Sequence, residues 1–367
     1  MSPRLSPELQ HLLRGMHEAI TADQQLWERI LRLARMSGLH GRLAAASSDH
    51  ASLPPPIRRH LLSAERISQF NAQMLAAELN ALAPLCAGEF PVIALKGSAY
   101  ALQNLPVAKG RFVSDVDLLV PRTHLRTMER RLLEAGWQTA ELGAYDERYY
   151  RDWSHETPPM RFPGHFLEVD LHHAITPVTG SLAFDPTPLF ERSRPVPDTP
   201  FRTLAAEDQL LHACLHCFHD GDLGLRVREV VDIDGLAREF SAHPGFWDTL
   251  LSRANELGLQ RPLWYGLNYA ANWLGCPVPN AVMVALGGPS RLTQQAMDRL
   301  VPLAMLPSDP DGPPPLKVAL ARNAMLVRYH LLRMPLHMLL PHLARKAVIR
   351  LRTQLAQKKE APDDGAP

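Results

Sequence analysis

The chain has 367 residues, long enough for two or three compact units, each with its own core. An apolar fraction of 46%, a charged fraction of 21% and a formal net charge of +1 are those of a soluble globular protein, and they exclude wholesale coating of nucleic acid while leaving local patches open. Four cysteines, of which only Cys214 and Cys217 are close together, exclude a secreted disulfide framework.

The N-terminus, MSPRLSPELQHLLRGMHEA, is charged and amphipathic and lacks an apolar signal-peptide core. Residues 1–88 are expected to form a helical region. Leu9, Leu12, Leu13, Met16 and Ile20 recur at helical spacing, as do Leu26, Ile30, Leu33 and Ala34. Pro54, Pro55 and Pro56 interrupt the pattern, and a further helix is expected from Ile57 to Leu82. Nothing in this region suggests chemistry.

Residues 89–200 alternate strand and helix patterns and are expected to form an α/β core. Pro91 to Leu95 reads as a short buried strand that ends at a flexible turn, Lys96-Gly97-Ser98. Next comes RFVSDVDLLV, in which Asp115 and Asp117 interrupt an apolar run at alternate positions. On a strand both carboxylates project from one face, while Val116, Leu118 and Val120 bury themselves on the other. Two like charges held so close repel each other, and a divalent cation with a preference for hard oxygen ligands, such as Mg²⁺, removes the repulsion. Thr123 is placed to cap a helix with the apolar stripe Leu125, Met128, Leu132 and Leu133, and Gly136 to end it in a left-handed turn. Trp137 to Leu142 suggests another short strand, and residues 143–163 suggest a loop. Phe166 to His172 then alternates strictly, so that Phe166, Glu168, Asp170 and His172 share a face. Either Glu168 or Asp170 suits the third carboxylate of a metal site. Prolines 177, 186, 188, 195, 197 and 200 mark a linker or an extended crossing segment.

Residues 201–306 are helical in pattern and are expected to complete a cleft. His212, His216 and His219 fall on one helical face, with Cys214 and Cys217 on another. Cys-x-x-Cys is a zinc spacing, but no second cysteine pair closes a tetrahedral site, so the histidine face is expected to border the cleft instead. Residues 262–290 carry no charge, yet Pro277, Pro279, Asn280 and Gly287-Gly288 divide them into pieces too short for a membrane span. The expectation is a cytoplasmic protein without a transmembrane segment. Residues 307–359 contain a proline-rich break followed by a basic amphipathic helix, which offers a minority route to RNA or to an anionic membrane surface. Residues 360–367 read as a disordered tail.

Gly97-Ser98, a helix, the Asp115-x-Asp117 strand and a third acid on a later strand together resemble the DNA polymerase β-like nucleotidyltransferase superfamily. LKGSAY, RFVSDVDLLV and FLEVDLHH are similar, more closely, to an uncharacterised bacterial nucleotidyltransferase family with an LKG…R…DxDLLV signature. The segment LHACLHCFHDGDLGLRVREVVDIDGLA adds His216, Arg226 and Asp232 at matching places. The resemblance covers roughly residues 90–240, and the QNLPVAKG loop absorbs a longer interval between Ser98 and Asp115 than compact members have. It implies an α+β fold, a small mixed-sheet polymerase β-like core with helical N-terminal and C-terminal regions. It also implies that Asp115, Asp117 and Asp170 ligate two Mg²⁺ ions, with Mn²⁺ able to substitute. Lys96, Gly97, Ser98, Arg111, His216 and Arg226 are then the nucleotide-binding set. The implied reaction moves a nucleoside monophosphate from an NTP to an unidentified hydroxyl or phosphate acceptor. The rival expectation is a catalytically silent nucleotide-binding scaffold with the same fold.

Overall fold

The structure is a computed structural model that describes residues 5–47, 53–139, 150, 154–180, 182, 184–219 and 223–341. Its centre is a seven-stranded mixed sheet carrying helices contributed by both ends of the chain. In chain order the strands are β1 (Val92–Ala94), β2 (Asp115–Leu119), β3 (Gln138–Thr139), β4 (Met160–Arg161), β5 (Glu168–His172), β6 (Arg194–Pro195) and β7 (Phe201–Thr203), arranged in the order β3-β4-β5-β2-β1-β7-β6.

Register is what positions the site. β2 and β5 run parallel with Asp117 opposite Asp170, and β1 runs antiparallel to β2 with Ala94 opposite Leu118. Partner residues on adjacent strands point to the same face about 4.8 Å apart, so a shared register brings acids from distant parts of the chain together. The opposite face is fully buried, with Val116, Leu118, Val169 and Leu171 all 0% exposed. A one-residue slip would turn these apolar side chains into the cleft and the acids into the core, which locks the register.

The N-terminal region folds into helices α1 (Pro7–Arg14), α2 (Gln24–Met36), α3 (His40–Ala46) and α4 (Pro55–Cys86). Helix α4 extends beyond the expected Ile57–Leu82 because Pro55 and Pro56 fall in its first turn, where a missing N–H costs nothing. Asn71 in α4 clamps the chain just ahead of β2. Its amide nitrogen donates to the Val113 carbonyl and its amide oxygen accepts from the Val113 N–H, each at 2.8 Å.

Several expectations need correction. Lys96-Gly97-Ser98 is the first turn of helix α5 (Lys96–Leu102) rather than a flexible turn. Thr123 makes no cap; residues Arg122–His124 form a 3₁₀ turn that leads into α6 (Leu125–Glu134), and Leu133 in the expected apolar stripe is exposed. Gly136 does adopt the left-handed conformation, at φ +104°. The proline-rich stretch is not only a linker: it contains α7 (Thr187–Arg192) and β6 and leads straight into β7, which pairs antiparallel with β6 and parallel with β1. Three-residue β7, directly after Pro200, carries too little periodicity to stand out. Of the expected strand Trp137–Leu142 only Gln138–Thr139 is seen, and residues 140–142 lie outside the described residues, as does most of the expected loop 143–163.

The helices that follow are α8 (Ala206–Phe218), α9 (Val227–Phe240), α10 (Phe246–Glu256), α11 (Gln260–Leu274), α12 (Asn280–Leu286), α13 (Arg291–Met305) and α14 (Leu316–Arg333). The expected basic helix is broken at Met334, which in extended conformation precedes Pro335; helix resumes over 336–341, and the rest of the expected span lies outside the described residues. The arginines of α14 are largely engaged with the protein: Arg328 donates to the Phe218 carbonyl at 2.7 Å and Arg333 contacts Tyr329. Arg345, Lys346, Arg350, Arg352, Lys358, Lys359 and the expected tail 360–367 lie outside the described residues. Among the described residues no helix is long and apolar enough to cross a membrane.

Candidate functional site

β2 and β5 together present three carboxylates. One ligand oxygen from each of Asp115, Asp117 and Asp170 lies within 4.8 Å of the others. Glu168 is exposed at the start of β5 and stands outside this group, so the geometry selects Asp170 over Glu168 as the third acid.

The three acids have different surroundings. Burial opposes ionisation of Asp117, but the Lys96 ammonium at 2.8 Å and the His172 Nε2 at 3.0 Å, both on Oδ1, outweigh it and hold the carboxyl well below the usual range. Asp170 has no such support. Burial first, then the charges of Asp117, Glu156 and Asp115, push its carboxyl up to about 8. Asp170 Oδ1 is buried with no hydrogen-bond partner among the described residues. An orphaned oxygen and mutually repelling acids are the donor set that a divalent cation satisfies, since the ion supplies the missing partner and ionises the raised carboxyl. The residues present therefore fit Mg²⁺.

Helix α5 borders the acids. Lys96 sits at φ +46°, a left-handed conformation costly for any residue with a Cβ, and this strain points its ammonium at Asp117. Gly97 needs to be glycine because a Cβ there would collide with the Arg111 guanidinium and meet Val113 Cγ2 at 2.8 Å. Ser98 is buried at 1% exposure, and its Oγ has no hydrogen-bond partner among the described residues.

Opposite the acids, α8 and α9 form the second wall. His216, Arg228, Glu229 and Asp232 line the same cleft as Lys96, Gly97, Arg111, Asp115 and Asp117. Arg111 does not pair with the acidic strand; its Nε bonds Asp232 at 3.1 Å. Arg42 of α3 reaches the same carboxylate from the N-terminal region and donates to the Val107 carbonyl at 2.8 Å. Burial disfavours the charged Arg111, but Asp232 overrides it and keeps the guanidinium firmly protonated. Arg226 and Asp232 are not partners of each other. Arg226 bonds Glu229 at 2.6 Å and donates to His216 Nε2 at 2.7 Å, and it stands behind the cleft wall rather than in it.

His212 is buried behind this wall; burial, then Lys96 and His216, keep it neutral by lowering its pKa well below the ordinary value. His219 is buried and does not line the cleft. Cys214 and Cys217 are wholly buried thiols, and burial raises both, so neither is an available thiolate ligand. Sequence reasoning missed Asn71, Arg42 and Glu156. The visible signal for Asn71 was a polar residue amid the apolar positions of a long helix; Arg42 and Glu156 gave none.

A search of curated proteins and a search of solved structures each returned no match. The family model described as "Uncharacterised nucleotidyltransferase" matches residues 23–275, which takes in α2 to α4, the whole sheet and both walls of the cleft. With that match added to the mixed sheet and its acidic cluster, the chain belongs to the uncharacterised nucleotidyltransferase family.

Proposed function

We propose that this protein transfers a nucleoside monophosphate from an NTP to a hydroxyl or phosphate acceptor and releases pyrophosphate. The observation that carries the reading is the convergence of Asp115, Asp117 and Asp170, the first two of which line a cleft that also presents Lys96, Arg111 and Arg228. In the reaction the acceptor oxygen forms a bond to the α-phosphorus as the bond to the β-phosphate oxygen breaks. Bound Mg²⁺, or Mn²⁺ in its place, would supply Lewis-acid polarisation and neutralise phosphate charge. Asp115 and Asp117 would ligate it. Asp170 would complete the set through Oδ1, leaving its other oxygen to take the acceptor's proton.

Lys96 is placed to swing from Asp117 to the triphosphate once the carboxylate has another cation. Arg111 keeps a fixed orientation through Asp232 and presents its remaining N–H groups beside Gly97, where no side chain intervenes. His216, steadied by Arg226, faces the nucleotide from the second wall. Rate enhancement would come from positioning and electrostatics, with no covalent protein intermediate.

The test is a thermal-shift titration with ATP, GTP, CTP and UTP, with and without Mg²⁺, comparing wild type with an Asp115→Asn, Asp117→Asn double variant. Metal-dependent stabilisation confined to the wild type, followed by pyrophosphate release from the stabilising NTP with an acceptor extract, is the expected result. Binding without any product under those conditions would favour the silent scaffold. No metal-dependent shift with any nucleotide would overturn the reading.

A further inference from the structure

A second constellation adjoins the acids and shares an edge with them through His172, and its own donor set is unused in the reading above. Residues 155 and 156 lie alongside the end of β5. Glu156 pairs antiparallel with His172, the Thr157 N–H donates to the Leu171 carbonyl at 2.8 Å, and the His173 N–H donates to the His155 carbonyl at 2.9 Å. These backbone bonds fix three side chains against one another. His155 and His172 are 4% and 3% exposed, with ring centroids 5.4 Å apart, while the Glu156 side chain is 29% exposed and opens to solvent.

The Nε2 atoms of both imidazoles face the same carboxylate oxygen. Glu156 Oε2 lies 3.7 Å from His155 Nε2 and 3.8 Å from His172 Nε2, and one ligand atom of each residue lies within 4.8 Å of the others. Metal–ligand bonds of about 2.0–2.2 Å in tetrahedral geometry separate ligand atoms by roughly 3.3–3.5 Å. The two distances to Glu156 are therefore open by only a few tenths of an ångström, and the third, between the imidazoles, lies within 4.8 Å, so closure needs side-chain adjustment alone.

We propose that His155, Glu156 and His172 form a transition-metal site, of the kind that takes Zn²⁺, distinct from the all-carboxylate group beside it. The donor types support the distinction. Two imidazoles and one carboxylate suit zinc and its neighbours, whereas Mg²⁺ favours oxygen alone. Among the described residues the group has three ligands and a partly exposed carboxylate, which leaves a coordination position open there, the arrangement of a reactive rather than a purely structural zinc. Asp117 stands between the two groups, since its Oδ1 is 3.0 Å from His172 Nε2. When His172 turns its lone pair to a metal it gives up that hydrogen bond, and Lys96 still holds the same oxygen.

The experiment uses untagged full-length protein stripped with a chelator and titrated with Co²⁺ alone, read by its visible d–d absorption and then back-titrated with Zn²⁺. Four proteins are compared: wild type, an Asp115→Asn, Asp170→Asn double variant, Glu156→Gln and His155→Gln, each checked for native circular dichroism. The expected result is one equivalent of Zn²⁺-displaceable Co²⁺ in wild type and in the double variant. Affinity should fall by about tenfold or more in Glu156→Gln and His155→Gln. Two outcomes would overturn the proposal: no displaceable Co²⁺ in wild type, which leaves His172 as a hydrogen-bond donor to Asp117 only, or binding lost in the carboxylate variant and kept in the other two. Neither outcome touches the nucleotide titrations, so failure here is separable from failure of the proposed transfer reaction.

Discussion

Lys96 offers a test of whether the acids form a metal site, because it already neutralises the group in the metal-free protein. Replacing it with Met keeps a Cβ at φ +46°, so backbone strain is the same before and after and only the charge is lost. At 2.8 Å and an effective dielectric near 20, the pair's Coulomb attraction is about 6 kcal/mol, much of it offset by desolvation. Removing one member of a buried pair typically costs about 3–5 kcal/mol; the lower end applies here because His172 continues to bond Asp117 at 3.0 Å. For 367 residues, an unfolding entropy of roughly 2.1 cal/mol/K per residue makes 3 kcal/mol worth about 4 °C. A metal-free thermal melt of Lys96→Met should therefore lie about 4 °C below wild type. Adding Mg²⁺ should narrow the gap, because the ion replaces the missing cation and binds more tightly where no ammonium competes for Asp117. A gap that stays constant from chelated to millimolar Mg²⁺ would refute the reasoning, since Lys96 and metal would then be independent.

Asp232 carries a structural counterpart. It is 4% exposed and is the shared carboxylate of Arg42 and Arg111, so Asp232→Asn leaves two buried guanidiniums facing a neutral amide. The expected loss is about 3–5 kcal/mol in urea or thermal unfolding, with part of it recovered in Arg42→Met, Asp232→Asn; an unchanged midpoint for the single variant would contradict the network. His173 predicts a pH dependence. It is buried, and burial first, then Arg122 and His155, lower its pKa to about 4, so between about 4 and 6.5 the unfolded chain binds a proton that the folded one does not. Stability contributed by the neutral imidazole is full above that range and is lost as the pH falls through it, at most about 3 kcal/mol. Asp170, raised to about 8, slopes the opposite way across the same range, because there the folded state holds the extra proton. The difference between wild type and His173→Gln isolates the imidazole; parallel stability–pH curves for the two would sink the assignment.

The acids were legible in the sequence because their placement depends only on parity. Alternation along β2 and β5 puts Asp115 and Asp117 on one face and Asp170 on one face, and the apolar residues between them fix which face is buried. What parity leaves open is register: Glu168 and Asp170 satisfy the same alternation, and only the pairing of Asp117 with Asp170 separates them. The partners of the cations were a further step away. Arg111 stood in the expected nucleotide-binding set, but it bonds Asp232 121 positions later, and Arg42 reaches Asp232 across 190. No local pattern encodes such a pair, since each arginine has the same helix or loop environment whether its partner is a carboxylate or water.

The N-terminal helices show the functional cost of that blind spot. Read as sequence they are apolar stripes with no chemistry, yet they place two polar side chains against the segment that enters β2 and the second wall of the cleft. Asn71 grips Val113, two residues before Asp115, through both its N–H and its carbonyl. Arg42 fixes Asp232, which in turn orients Arg111 beside Gly97. Both contacts are buried and hydrogen-bonded to backbone or charge, so loosening either would shift a cleft residue instead of merely weakening a surface. The match of the family to residues 23–275 includes both positions, whereas the motifs legible in the sequence begin only at residue 90. The cleft therefore extends, in the physical sense of what holds its side chains in place, across α3 and α4, and a fragment cut at residue 89 would keep every acid and lose the clamps on β2 and Arg111.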